Sequence, residues 1–349
     1  MAPRPAFEGW RRRSEDVKKN SRLGLVVSLL ACLVLLATAR TATAQEFTLF
    51  GGKTTAFDLS QSTYAWKIEY RQGLGEHFEF SYSWLNEGHI SGHQRDGHIP
   101  QIWARQTFLD RRVTLALGVG TMRYYDTQAA AGADGYADVH GWAGIASLDA
   151  AYYVGKRWIT RLQVNRTWAP STSVDTWDFL LGLGYQLTAP DEPGPRSLPE
   201  RQAQPTTRNE VTAFVGQTVV NSFNSQNSVA ASLEYRRGLG QYFDVSAAFL
   251  YEGNSQLVRR GGFIVQGWLG RSFFDDHVAI SIGLGPYIAV DTYEENSSGK
   301  GAGTIAGMIT PSFSYRFSER WLGRFTWNRV FTTYNKDTDV FQLGIGYRF

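Results

Sequence analysis

Residues 68–75 read Ile68-Glu69-Tyr70-Arg71-Gln72-Gly73-Leu74-Gly75, and residues 233–240 read Leu233-Glu234-Tyr235-Arg236-Arg237-Gly238-Leu239-Gly240. The two octets lie 165 positions apart, and the same spacing relates Glu87 to Glu252, Trp103 to Trp268, Gly118 to Gly283 and Asp126 to Asp291. It shrinks to 163 at Arg161/Arg324, Asn165/Asn328 and Arg166/Arg329, and to 162 at Asp175-Thr176/Asp337-Thr338 and Gly182-x-Gly184-Tyr185/Gly344-x-Gly346-Tyr347. A register that changes only by small deletions over most of the chain is an internal duplication. The copies span residues 45–187 and 210–349. Residues 188–209 between them carry Pro190, Pro193, Pro195, Pro199 and Pro205, too many fixed φ angles and missing donors for a strand, and read as a linker.

Within a copy the apolar positions recur every second residue, the period of a strand and not of a helix. The first copy divides into runs near 46–53, 63–72, 77–87, 97–107, 112–125, 142–154, 157–168 and 176–187. In the third run Phe78, Phe80, Tyr82 and Trp84 oppose Glu79, Ser81, Ser83 and Glu87; in the fifth, Val113, Leu115, Leu117 and Val119 oppose Thr114, Ala116, Gly118 and Gly120. Short connections (Gln72–Glu76, Leu109–Arg111, Gly155–Lys156) alternate with long polar ones (Thr54–Ser62, Gly88–Asp96, Asp126–Gly141, Ala169–Asp175). A soluble sandwich needs neither that alternation nor an aromatic-rich outer face. Both belong to a transmembrane up-and-down β-barrel, where charge facing lipid costs kilocalories and the polar face must therefore line the lumen.

Composition agrees. Hydrophobic residues make up 43% and aromatic residues 14% of the chain, while the mean hydropathy of -0.29 excludes a bundle of membrane helices. The formal charge of +3 is produced by the N-terminal segment: eight of the 35 basic and three of the 32 acidic residues precede Gln45, which leaves 27 against 29. A nucleic-acid partner loses its electrostatic basis. The single cysteine, Cys32, also lies in that segment, so disulfides and thiolate metal sites are excluded from the rest. Lys18, Lys19 and Arg22, the apolar run Leu23–Ala39, and Ala42-Thr43-Ala44 follow the order of a secretory signal cleaved after Ala44. A lipobox reading of Leu29-Leu30-Ala31-Cys32 would leave an apolar stub, Leu33-Val34-Leu35-Leu36, on the mature protein and is not preferred. Residues 1–16 lie ahead of the charged region and suggest an over-extended start, with translation beginning near Val17.

The last run has Phe341, Leu343, Ile345, Tyr347 and the terminal Phe349 on one face. It resembles the C-terminal signal with which bacterial outer-membrane β-barrel proteins engage the barrel-assembly machinery. The first copy ends similarly, in Phe179, Leu181, Leu183, Tyr185 and Leu187. The resemblance implies residence in the outer membrane of a Gram-negative cell, among its lipid and lipopolysaccharide. Pro311, mid-strand in the sixth run of the second copy, predicts a bulge there.

Two architectures fit: two eight-stranded barrels, whose lumens side chains fill, or one sixteen-stranded barrel with an aqueous channel. Adjacent strands lie about 4.8 Å apart, so a single barrel has no use for a long proline-rich connection. Trp103 and Trp268 fall on the inward face at mid-strand, with Gly118 and Gly120 giving the first ring space, which favours the filled pair. Inward polar groups shared by both copies are Glu69, Arg71, Glu87, Arg161 and Asn165, matched by Glu234, Arg236, Glu252, Arg324 and Asn328. They read as a structural ion-pair network. His89, His93 and His98, with Asp96, fall in one external loop and read as solvated residues, not a metal site, because the second copy has no histidine there. No serine or histidine recurs in both copies at a place suited to the lipid A acyltransferase or deacylase chemistry of some eight-stranded barrels, and Gly-x-Gly lies within strands, where it is no nucleotide fingerprint. The expected function is non-enzymatic, without a cofactor, structural or surface-interactive; the transport alternative is a sixteen-stranded, porin-like diffusion channel.

Overall fold

A computed structural model describes residues 45–130, 135–170, 173–188, 191–195, 207–223, 226–291 and 305–349. The expected signal segment and much of the linker lie outside the described residues. Eight strands form the first unit: β1 Gln45–Ala56, β2 Gln61–Gly73, β3 Phe78–Ile90, β4 His93–Phe108, β5 Val113–Ala129, β6 Tyr136–Val154, β7 Trp158–Trp168 and β8 Thr176–Gln186. Eight more form the second: β9 Asn209–Val220, β10 Asn227–Gly238, β11 Phe243–Asn254, β12 Arg259–Phe273, β13 Val278–Asp291, β14 Ile305–Arg316, β15 Trp321–Phe331 and β16 Thr338–Arg348.

Each unit is a closed antiparallel barrel. β1 pairs with β2 and also with β8, where Phe47 lies opposite Tyr185 and Leu49 opposite Leu183. β16 closes on β9 in the same way, Leu343 opposite Val215. The sixteen-stranded alternative is thereby overturned. Every edge strand finds its partner inside its own copy, so no open ladder is left through which the sheets would merge. Outside, Leu117, Val119, Leu148 and Leu181 of the first barrel and Val215, Phe263, Leu284 and Leu343 of the second are exposed. Inside, Glu69, Arg71, Glu87 and Arg161 are buried. Apolar exterior and charged interior are the inverse of a soluble protein and define a transmembrane barrel.

Two expectations are corrected. Three of the expected long loops of the first copy are mostly strand: only Ser91 and Gly92 separate β3 from β4, and β6 runs for 19 residues. A tilted span needs roughly 9–11 residues, so these hairpins continue well past a bilayer. Beyond it a strand no longer needs an apolar face, and its polar sequence reads as loop. Pro311 produces no bulge. The β14–β15 ladder skips Thr310 and Pro311, yet Ile309↔Arg329 and Ser312↔Thr326 keep one register. The register shifts fall instead between Asn86 and His89 and between Tyr251 and Asn254, at the repeat-related Gly88 and Gly253. Both have positive φ (60° and 84°), the conformation such a bulge requires and a side chain resists.

Candidate functional site: the filled lumens

Alternation along the strands aims every second side chain at the barrel axis, and the recurring inward charges meet there. In the first barrel Glu69 accepts from Lys67 at 2.7 Å and from Arg71 at 2.8 Å. Arg71 also donates to Glu79 at 3.2 Å and to Asp149 at 3.1 Å. Arg161 bridges Asp149, at 2.7 Å, and Glu46; Arg105 holds the other oxygen of Glu79. The four arginine and lysine groups therefore face four carboxylates. Burial of that many ions is tolerable only when each is paired and hydrogen-bonded.

Above this layer lies Trp103, fully buried. Its indole N–H donates to the Ser81 hydroxyl at 2.8 Å, and the Arg71 guanidinium lies 4.0 Å from the ring centroid. The second barrel repeats the arrangement: Trp268 donates to Ser246 at 2.8 Å and Arg236 lies 4.1 Å from its ring. A Cβ on Gly118 would sit 2.5 Å from the Trp103 ring, and one on Gly283 2.8 Å from Trp268. Glycine is what lets the indole cross the lumen. Gly120, which the sequence pairs with Gly118 in that role, does not play it: a Cβ there would strike the Pro100 carbonyl oxygen at 2.1 Å. It permits close approach of β4.

The next layer was not foreseen. Phe50, Leu85, Ile99, Met122, Tyr124 and Ile145 point inward and form one buried apolar cluster, with Leu250, Ile264, Tyr287, Met308, Val330 and Val340 in the corresponding place. The lumen is thus not uniformly polar. A second ionic layer caps each cluster on the loop side. Glu87 accepts from Arg95 at 2.9 Å and from Thr176 at 2.5 Å; Glu252 pairs with Arg260 at 2.6 Å and accepts from Thr338 at 2.6 Å.

The remaining expected residues also face inward. Arg324 pairs with Glu234 at 2.6 Å and with Glu210, and Arg236 with Asp244 at 2.8 Å. Asn165 donates to Asp178 at 3.3 Å, while Asn328 accepts from Thr310 at 2.9 Å and donates to Gln342 at 3.2 Å. Glu79/Asp244 and Arg95/Arg260 obey the 165 spacing and inward parity and were findable; Lys67, Arg105 and Asp149 have no charged counterpart in the second copy and were not. The terminal residues Leu343, Ile345 and Phe349 are exposed on the outer face, with Phe341 and Tyr347 half-buried on the same face.

The histidines are not in a loop. His89 lies on β3, and His93 and His98 on β4, where they diverge. His93 Nδ1 is 2.9 Å from Asp126, His98 Nδ1 is 2.5 Å from the Tyr82 hydroxyl, and His89 Nδ1 is 3.4 Å from that of Tyr64. His98 is buried rather than solvated, because it faces outward beneath the second barrel. Among the described residues no group of three potential ligands is arranged to hold a metal ion.

No protein-family model matches the sequence, and neither does any curated protein. Solved structures that match include the N-terminal β-barrel domain of Pseudomonas aeruginosa OprF, at 8% identity and a TM-score of 0.33 over 41% of this chain and 98% of that one. The KdgM porin matches at 11% identity and a TM-score of 0.19, over 81% and 99%. The CymD monoaromatic hydrocarbon channel matches at 9% identity and a TM-score of 0.24, with 88% of each chain covered. The geometry itself carries the fold: two closed up-and-down transmembrane barrels in tandem, the architecture of outer-membrane β-barrel proteins.

Proposed function

We propose that the chain is an integral protein of the bacterial outer membrane whose two barrels are filled and do not conduct, and whose role is structural or surface-interactive. The apolar layer sealing each lumen carries this reading: Leu85, Ile99 and Met122 in one barrel and Leu250, Tyr287 and Met308 in the other are fully buried at its centre. An ion crossing that layer would have to shed its water against hydrocarbon and displace a packed cluster. With the lumens closed to traffic, function falls to the surfaces, the tall outer hairpins above all. The setting is lipid and lipopolysaccharide, reached through a cleaved signal and assembled by the barrel-assembly machinery.

Planar-bilayer recording tests it: purified protein is expected to insert without stable conductance steps, and large, long-lived steps would restore the channel alternative. The enzymatic alternative predicts a changed lipid A acyl pattern by mass spectrometry when the gene is removed; the expected pattern is unchanged. The assembly signal makes its own prediction. Deleting Phe349 is expected to leave protein in the periplasm, in fractionation, and normal insertion of the truncation would remove the terminal strand from the argument.

A further inference from the structure

Outward positions of a membrane barrel belong to lipid, yet on one face of the first barrel they do not look like it. Trp84, His98 and Tyr125 point outward by strand parity, and their exposures are 4%, 3% and 1%. The repeat-equivalent positions of the second barrel are Phe249, Phe263 and Val290, exposed by 46%, 66% and 65%. Outward Asp96 likewise corresponds to Gly261. The same site on the same fold is therefore apolar and open in one copy, polar-aromatic and covered in the other.

What covers it is the β15–β16 face of the second barrel. The Trp84 and Trp327 rings meet edge to face at 4.4 Å. Arg329 faces outward, buried, 4.7 Å from the Tyr125 ring, and pairs with Asp96 at 3.3 Å across the junction as well as with Asp339 of its own barrel at 2.5 Å. Towards the hairpin tips His140 lies 2.6 Å from Asp337, and the Tyr136 hydroxyl donates to the Asn335 carbonyl at 3.1 Å. Arg329 has an outward counterpart in the first barrel, Arg166, but there the neighbours are Asp175 at 2.7 Å and the rings of Trp168 and Trp177.

We infer that the outward face of β3–β6 is a dedicated docking surface for the second barrel of the same chain, so that the tandem barrels work as one lateral pair with a composite outer rim. Charge alone does not decide this, because a charged side chain near the membrane surface costs only about 0–1 kcal/mol. Complementarity does: an aspartate opposite an arginine, indole against indole, and a histidine opposite a carboxylate. The second barrel has Gly261 where the first has Asp96 and Phe249 where it has Trp84, so neither the ion pair nor the indole contact is available there, and the docking surface is not simply copied along with the duplication.

The test cuts the covalent tie. A protease site is placed in the linker of the full chain carrying C32S; the folded protein is cut in detergent and run on a sizing column. The halves are expected to stay together, and W84C/W327C is expected to join them through a short thiol cross-linker. D96R, which sets a second guanidinium against Arg329, is expected to weaken retention by at least roughly tenfold, whereas F263H leaves it unchanged. Heat-modifiable gel mobility checks that each variant folds. Separation of the cut wild-type halves would overturn the inference. So would quenching of Trp84 fluorescence by brominated lipid, which would make lipid the occupant, or cross-linked species of twice the chain mass, which would make it a second copy.

Discussion

The lumens of the two barrels share strand order, an indole spanning the bore and a guanidinium stacked on it, yet they distribute charge differently. Arg71 serves three carboxylates, Glu69, Glu79 and Asp149. Arg236, its repeat equivalent, pairs with Asp244 and reaches the Ser281 hydroxyl at 3.3 Å. Where the first barrel has Lys67, Arg105 and Asp149, the second has Ser232, Gly270 and Ser312. Charges have been lost or gained in both signs. The indole and the guanidinium stacked on it are thus kept, while the ion pairs around them drift.

That difference can be broken by truncating the shared arginine. Arg71→Met leaves three buried carboxylates short of a partner and is expected to cost about 3–5 kcal/mol. Arg236→Met strands one carboxylate, so its cost is expected to be clearly smaller. Urea unfolding in detergent, followed by tryptophan fluorescence, compares them; equal losses would mean that the wider network of the first barrel compensates internally.

Closer to the indole the barrels should behave more alike. Gly118→Ala and Gly283→Ala push a methyl into Trp103 and Trp268, and neither ring can retreat, with an arginine on its face and a serine on its N–H. Overpacking of this kind costs about 1–3 kcal/mol. The closer approach, 2.5 Å against 2.8 Å, makes Gly118→Ala the worse of the two. The same unfolding assay reads it, and a harmless Gly118→Ala would show that the ring is free to tilt.

These contrasts also show what the sequence makes legible. Period-two alternation and the repeat spacing lead to barrel strands, to the inward charges and to Trp103 over Gly118, because each is a matter of parity along one strand. Which carboxylate meets which arginine depends on strand stagger around the barrel. Glu46 and Arg161, 115 positions apart, are neighbours only once β1 closes on β8. The apolar layer escaped because Leu85 and Ile99 break the polar side of the alternation where a purely polar lumen is assumed. The docking face escaped for the opposite reason: Trp84 and Tyr125 look like ordinary lipid-facing aromatics until a second barrel is set against them.

The smallest expected effect is at Pro311. Its equivalent in the first barrel is Leu148, outward, exposed and paired with Val164 in an unbroken ladder. In the second barrel the pairs opposite Asn328 and Trp327 are missing, although the register on either side is the same. Proline supplies no N–H, so the gap follows from the residue and not from a displaced strand. Pro311→Leu returns both a donor and a lipid-facing side chain to a backbone already in register. The gain is expected to be one hydrogen bond's worth, about 0.5–1.5 kcal/mol, seen as a raised unfolding midpoint and slower amide exchange at residues 327 and 328. A lowered midpoint would mean that the proline fixes the course of β14, and that the two barrels need different strand geometry at this height.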